Sequence, residues 1–348
     1  MVQGSEPSGT QGRATPGGPG GFTVVYISGM LRSGSTLLAA ALAAAEGVVT
    51  VGETHMLWAA VADGRPCTCG EPVVTCPFWK PILASVLDEY GLQIESAREL
   101  HRKFLRLVRI RRVPWLAGGR LAEYRRLSAD ESLLADIAAS IYQAVAHATN
   151  ARIIVDASKN PAYPALMGSA RTVRFCGIHL VRDPRAVAYS EHYRFHRNMP
   201  EPLRAPSRPP WKSAVWWSIY NLATEWTARH QQATTPWTRV RYEDFVAAPE
   251  KVLTNISLDL GLDIDAWPFD SPDVIRLGVS HEPSGNPSRF EAKLRTIALR
   301  SEWVTALPPR QRRIVNAITW PQLRRYHYPL RGGPVGYNPS NGAKNLPV

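Results

Sequence analysis

Five short apolar runs punctuate the chain, and each closes on glycine or on polar and charged residues. Val24-Val25-Tyr26-Ile27 leads into a turn spanning Gly29 to Gly34, and Val48–Val51 leads into Gly52-Glu53-Thr54-His55. Arg152–Asp156 leads into Ala-Ser158-Lys159-Asn-Pro161, Val173–Val181 into Arg182-Asp183-Pro184-Arg185, and Thr238–Tyr242 into Glu243-Asp244-Phe245. Such short runs, apolar at successive positions, predict strands covered on both faces. Helical patterns separate them. Helix formers run from Ser35 to Glu46, Pro161 and Pro184 open two further helices at their first turn, and Pro249–Leu260 stops at Gly261. Alternating strands and helices predict an α/β fold with a parallel sheet and crossover helices. The largely helical block from about 60 to 150 reads as an insertion between the second and third strands. Two more helices are expected around Leu299–Thr305 and after Pro308-Pro309.

The ends differ from the middle. Residues 1–21 are rich in Gly, Pro and Ser with no apolar core, and they read as a disordered tail without the apolar region of a signal peptide. Residues 331–348 read as an irregular tail, which leaves 22–330 as one domain. Composition excludes little: 45% apolar and 20% charged residues in a chain of 348 are ordinary for a globular protein. The net charge of +12 is not ordinary, and it points to an anionic partner. No apolar run is long enough to span a membrane, and four cysteines give no disulfide framework, so a cytoplasmic protein is expected.

Candidate chemistry gathers at the strand ends. Strand, glycine loop and helix in succession form the layout in which helix N-terminal amides cradle an anion. The loop has Walker A spacing, Gly29-x4-Gly34, but Ser35 stands where an ATPase needs Lys, and the nearest cation is Arg32. Arg182, Ser190 and Arg194 make a second anion cradle, with Ser190 and Arg194 four apart on one helix face and Asp183 as its N-cap. Glu53 and His55 follow the second strand at the edge where parallel sheets carry ligands. Asp156 ends the third strand as a Walker B acid would, which keeps a P-loop kinase or ATPase as an alternative. Cys67, Cys69 and Cys76 lie within ten residues, but C-x-C-x6-C is not a usual zinc spacing and a fourth ligand is not evident, so a reduced or singly bridged structural loop is expected and no metal site. The basic segment 101–112, with Phe104, Leu105, Val108 and Ile110 on its apolar side, reads as a solvated helix face, with membrane or polyanion contact as a further alternative. Trp211, Trp216, Trp217 and Trp226 on one helical segment read chiefly as core packing, and Pro-rich 198–210 as a surface loop.

Two separated cradles suit a nucleotide phosphorylated in two places and lacking a β,γ-phosphate pair. Four stretches, in order from about Phe22 to Phe290, resemble the sulfotransferase family that uses 3′-phosphoadenylyl sulfate (PAPS), with motifs nearest the bacterial, tyrosylprotein and carbohydrate branches. GMLRSGSTLL resembles the family's 5′-phosphosulfate loop, which implies that Arg32, Ser33, Gly34, Ser35, Thr36 and Leu37 hold the phosphosulfate. LVRDPRAVAYS resembles the 3′-phosphate motif, which implies roles for Arg182 and Ser190, while Arg194 and Tyr242 of VRYEDF match nucleotide-contacting positions. HEPSGNPSRF resembles a late loop closing over the nucleotide, which suggests Asn286 and Arg289. The resemblance implies a P-loop-type fold, PAPS as co-substrate without a required metal, and sulfuryl transfer to a hydroxyl or amine of a small-molecule, glycan, lipid or peptide acceptor. Glu53 is the preferred base with His55 as the alternative, and Lys159 resembles a family lysine that meets the transferring group.

Overall fold

A computed structural model describes residues 21–117, 128–167, 173–194, 207–231, 234–264, 266–290 and 294–330. Strand β1 (Thr23–Ser28) lies at the centre of a five-stranded parallel sheet of order β2-β3-β1-β4-β5. Its partners are β2 (Val48–Thr50), β3 (Ile153–Lys159), β4 (Arg174–Val181) and β5 (Trp237–Arg241). All six residues of β1 are buried because both faces are covered. Val24 and Tyr26 join Ile154 and Phe175 on one face, and Val25 and Ile27 join Val155, Ile178 and Leu180 on the other.

Helices complete the two layers. On the second face, α1 (Ser35–Leu42) sends Leu38 and Leu42 into the core. Between β2 and β3 the chain forms α2 (Leu57–Ala62), α3 (Trp79–Glu89), α4 (Ala97–Leu107), α5 (Val113–Ala117) and α6 (Ala129–Thr149), which cover the first face through Trp58, Trp79, Phe104 and Tyr142. Downstream come α7 (Ala162–Met167), α8 (Pro184–Tyr189), α9 (Pro210–Gln231), α10 (Tyr242–Ala247), α11 (Pro249–Leu260), α12 (Trp303–Ala306) and α13 (Pro309–Arg325). A small antiparallel sheet of β6 (Phe269–Ser271), β7 (Val274–Arg276) and β8 (Leu294–Thr296) packs Ile275 onto the second core.

The expected α/β order is present, with corrections. The first helix stops at Leu42, not Glu46. Strand β3 runs three residues past Asp156 and takes Lys159 into the sheet. The basic segment 101–112 is not one helix: α4 ends at Leu107, and Ile110–Arg112 form a separate turn leading into α5, where Pro114 sits in the first turn. Leu105 is 43% exposed, and the buried face of α4 is Leu100, Phe104 and Leu107. The tryptophans also sit differently. Only Trp217 is buried, and Trp211, Trp216 and Trp226 are exposed, because α9 packs inward through Ser213, Ala214, Asn221, Thr224 and Ala228. The tails through residue 20 and from 331, and most of the Pro-rich loop (195–206), lie outside the described residues. Among the described residues no helix is long and apolar enough to cross a membrane.

Candidate active site

Parallel strands point their carboxyl ends the same way, and here each of the five contributes. β1 delivers the glycine loop, β2 Glu53, β3 Lys159, β4 Arg182 and β5 Tyr242.

The glycine loop ends at Gly34, the N-cap of α1, in a left-handed conformation with φ 98°. A Cβ there would lie 2.3 Å from the ring of Tyr242, so glycine is required for space as well as for backbone. No side chain caps α1, and its first turn carries no acidic residue. The Leu37 amide donates to the Gly34 carbonyl (3.0 Å), whereas the amides of Gly34, Ser35 and Thr36 find no acceptor among the described residues. Ser33 Oγ is buried and likewise without a partner there. Arg32 also holds a left-handed backbone, φ 68°, an uncommon state outside glycine that is concentrated at functional turns.

The second cradle shares a wall with the first. Arg182 Nη1 donates to the Arg32 carbonyl (3.0 Å), and its guanidinium stacks on the Tyr242 ring 4.4 Å from the centroid. Arg32 Nε donates to Ser190 Oγ (3.2 Å), at the start of a π-turn over Ser190–Arg194. Arg182 Nε is buried without a partner among the described residues. Asp183 caps α8 as expected, accepting from the Arg185 amide (2.8 Å) and pairing with the fully buried Arg185 guanidinium. Sequence reasoning missed Glu243. Its buried carboxylate accepts from the Asp183 amide (3.0 Å) and from Tyr328 Oη (2.6 Å), which fixes the end of β4. The Arg194 side chain lies outside the described residues.

Across the loop, Lys159 Nζ forms an ion pair with Glu53 Oε1 and donates to the Ala157 carbonyl (2.9 Å). A bulge in the β1–β3 pairing sets Lys159, rather than Ser158, opposite Ser28 and so re-aims its side chain. Its backbone is left-handed too, φ 69°. Burial pushes the Glu53 carboxyl up, but the charge and hydrogen bond of Lys159, with help from His55 and Arg289, outweigh it and hold Glu53 below the usual carboxylate range. Burial, with Lys159 adding to it, pulls His55 down to about 4, so its ring is neutral at pH 7.

Asp156 anchors this corner. Its carboxylate accepts from Thr54 Oγ1, Tyr142 Oη (2.5 Å) and the Ser158 amide (2.7 Å) in a fully buried position. The Thr54 bond, together with the His55 amide on Ser158 Oγ (3.2 Å), pins the 53–55 turn to β3. With three donors on it, Asp156 does not suit the Walker B role.

The late loop lies on the Glu53 side. A Cβ on Gly52 (φ 64°) would lie 2.7 Å from the Ser284 carbonyl oxygen, so the loop presses directly on the Gly52-Glu53 turn. Arg289 donates to the Gly285 carbonyl (2.7 Å), and the Asn286 carbonyl accepts from the Arg289 amide (2.9 Å). The loop also brings Glu282, buried at 4% exposure, whose carboxyl burial pushes up to about 7 against the pull of Arg289. Nothing in the sequence singled Glu282 out. A cleft of about 80 Å³ runs along α1 and β2, with Thr36, Ala40, Ala43, Glu282 and Arg289 on its walls.

The site therefore offers uncapped amides, orphaned donors and arginines to an anion, next to a paired carboxylate and lysine. Residues 25–266 match the family model described as "Sulfotransferase family", a span that holds both cradles, Glu53 and Lys159 but stops short of the late loop. A search of curated proteins finds no match to the chain. With more than two thirds of its length matched and the motifs folded into one site, the chain belongs to the sulfotransferase family.

Proposed function

We propose that the chain transfers a sulfuryl group from 3′-phosphoadenylyl sulfate to a hydroxyl or amine of an acceptor. The observation that carries this reading is the shared wall of the two cradles. Arg182 is bonded to Arg32 of the glycine loop, and Arg32 to Ser190, so one nucleotide with a 5′-phosphosulfate and a 3′-phosphate would engage both at once. The residues fit it. Ser33 Oγ and Arg182 Nε are buried donors lacking acceptors among the described residues, and the first turn of α1 is uncapped. A Walker lysine is absent, and Asp156 is engaged by three donors, which disfavours a Mg-triphosphate.

PAPS, when bound, supplies an activated sulfuryl group whose leaving group is adenosine 3′,5′-bisphosphate. The chain's own residues do the rest. The Gly34–Thr36 amides, Ser33 and Arg32 hold the phosphosulfate end, and Arg182 and Ser190 the 3′-phosphate. Lys159 and Arg32 place positive charge where negative charge develops. Glu53 takes the acceptor proton. In the ion pair Glu53 is a weak base; as Lys159 turns toward the sulfuryl oxygens the carboxylate is released to act. Calorimetry with adenosine 3′,5′-bisphosphate, ATP and ADP tests the donor. The bisphosphate is expected to bind at least about tenfold more tightly than either, a difference of about 1.4 kcal/mol. Equal affinities would overturn the reading. Labelled PAPS offered to sugar, peptide, lipid and small phenolic acceptors then identifies the acceptor class, and Glu53→Gln is expected to lower turnover by about 10² or more with bisphosphate affinity kept.

A further inference from the structure

The cysteine loop and the late loop, more than 200 residues apart in sequence, meet at one point. Cys67, Cys69 and Cys76 present their Sγ atoms, and His281 its Nδ1, with all four ligand atoms within 4.8 Å of one another. The separations are those of a coordination polyhedron. Cys69 and Cys76 sulfurs are 3.5 Å apart, and His281 Nδ1 is 3.4 Å from Cys76 Sγ and 3.8 Å from Cys67 Sγ. A zinc tetrahedron with Zn–S of about 2.3 Å and Zn–N of about 2.0–2.1 Å has S···S edges of about 3.8 Å and S···N edges of about 3.5 Å. Neutral thiols packed for apolar reasons have no need to converge on an imidazole nitrogen.

The surroundings hold these ligands in place as second-shell groups of a metal site do. The Gly70 amide donates to the Cys67 carbonyl (2.9 Å), closing a tight turn around Cys67-Thr68-Cys69, with Gly70 at φ 95°. His281 is fixed from three sides. Its ring stacks on Phe78 at 4.8 Å between centroids and 5° between planes, and Trp79 Nε1 donates to its carbonyl (2.8 Å). Thr68 Oγ1 bridges the neighbours of His281, donating to the Ser280 carbonyl and accepting from the Glu282 amide (3.0 Å). Cys67 and Cys76 are fully buried, and Cys69 faces solvent.

We propose that Cys67, Cys69, Cys76 and His281 bind one zinc ion that clamps the late loop to the cysteine loop. Three thiolates and one imidazole are a soft, tetrahedral donor set of the zinc type. All four positions are filled by the protein, which makes the site structural, with no open position for substrate. Its effect on the active site is positional: the clamp seats Glu282 and Arg289 against the Gly52-Glu53 turn. The sequence argued against a metal on the unusual C-x-C-x6-C spacing and on the want of a fourth ligand, and the residue that would be that ligand lies 205 residues beyond Cys76.

The test is elemental analysis and X-ray absorption on full-length protein purified under reducing conditions. About one zinc per chain is expected, with a first shell of three sulfurs near 2.3 Å and one nitrogen. His281→Ala and Cys69→Ser are expected to lose the metal. His281→Cys should keep it as a four-thiolate site, and Cys176→Ser, remote on β4, should keep it too. Removal of zinc by a chelator should raise amide exchange in 66–79 and 281–290 while the β1–β4 core stays protected. Reduced protein that holds no zinc and takes up neither zinc nor cobalt on titration would overturn the proposal. So would metal retained in His281→Ala, or amide exchange unchanged by chelation.

Discussion

Lys159→Met separates the contribution of the Glu53–Lys159 pair from that of the backbone around it. Both side chains are largely buried, at 8% and 16% exposure for Lys159 and Glu53. Breaking such a pair from one side leaves a buried, uncompensated charge, at a cost of about 3–5 kcal/mol. The cost depends on pH, with a definite sign. In the native chain the Glu53 carboxyl lies below its unfolded value, so its stabilisation is present above the unfolded value and fades as pH falls through the folded one. Without Lys159 the burial that now loses to the ion pair prevails over the weaker pull of His55 and Arg289. The folded variant then holds its proton to higher pH than the unfolded chain. Its penalty is absent below the unfolded value and grows as pH rises, by about 1.4 kcal/mol for each unit of that window. Urea unfolding should therefore show a loss of about 3 kcal/mol at pH 7.5 and less than about 1 kcal/mol at pH 4.5. By thermal denaturation at pH 7.5 the same loss is about 4 °C, from an unfolding entropy of roughly 2.1 cal/mol/K per residue. Glu53→Gln in the same chain should restore most of the stability at pH 7.5 and none of the activity. An equal loss at both pH values, or a double variant no more stable than the single, would refute the reasoning and assign the effect to the left-handed Lys159 backbone and its bond to Ala157.

Three further outcomes follow from the geometry. Gly34→Ala places a Cβ 2.3 Å from the Tyr242 ring at a left-handed position worth about 1–2 kcal/mol of strain, so affinity for adenosine 3′,5′-bisphosphate should fall at least about tenfold by calorimetry; unchanged binding would mean that Tyr242 does not wall the site. Arg182→Ala should cut the preference for adenosine 3′,5′-bisphosphate over adenosine 5′-phosphate by about 10- to 100-fold, the worth of a charged hydrogen bond of about 1.5–3 kcal/mol, and an unchanged ratio would remove Arg182 from the 3′-phosphate site. With Glu53 below the usual range and His55 at about 4, the acid limb of kcat/KM should lie below pH 5 and the profile stay flat from pH 5.5 to 7.5. A limb near 7 would move the proton-accepting role to Glu282, whose carboxyl sits at about 7.

The sheet was legible because its strands are buried on both faces, which turns burial into unbroken apolar runs such as Val24–Ile27. Elements shaped by tertiary contacts were not. β6, β7 and β8 have three residues each, too short for any period, and are held by their pairing and by Ile275 packing on the second core. The tryptophans of α9 misled because aromatic density was read as burial, whereas this helix packs inward through Ser213, Ala214 and Thr224 and turns Trp211, Trp216 and Trp226 outward. A composition cue carries no direction; the positions of the small residues did.

The candidate site divides along the same line. Glu53 and Arg182 were named because a strand end fixes their place at the carboxyl edge, whereas Lys159 and Tyr242 were named from the family resemblance of SKNP and VRYEDF. Their pairings were not. The Glu53–Lys159 ion pair needs the bulge that re-aims Lys159, and a bulge in β3 leaves no mark in SKNP. The two cradles read as separate because Arg32 and Arg182 are 150 residues apart, yet one hydrogen bond joins them. That bond has a mechanistic consequence. Arg32 lends its backbone carbonyl to Arg182 and its guanidinium to Ser190, so an anion that draws the Arg32 guanidinium away from Ser190 disturbs the second cradle directly. On the proposed reading, the 3′-phosphate and phosphosulfate positions would be coupled through Arg32, by its backbone carbonyl to Arg182 and by its side chain to Ser190, so removing the 3′-phosphate from the nucleotide should cost more affinity in the native chain than in Arg32→Lys, which keeps the first link and loses the second.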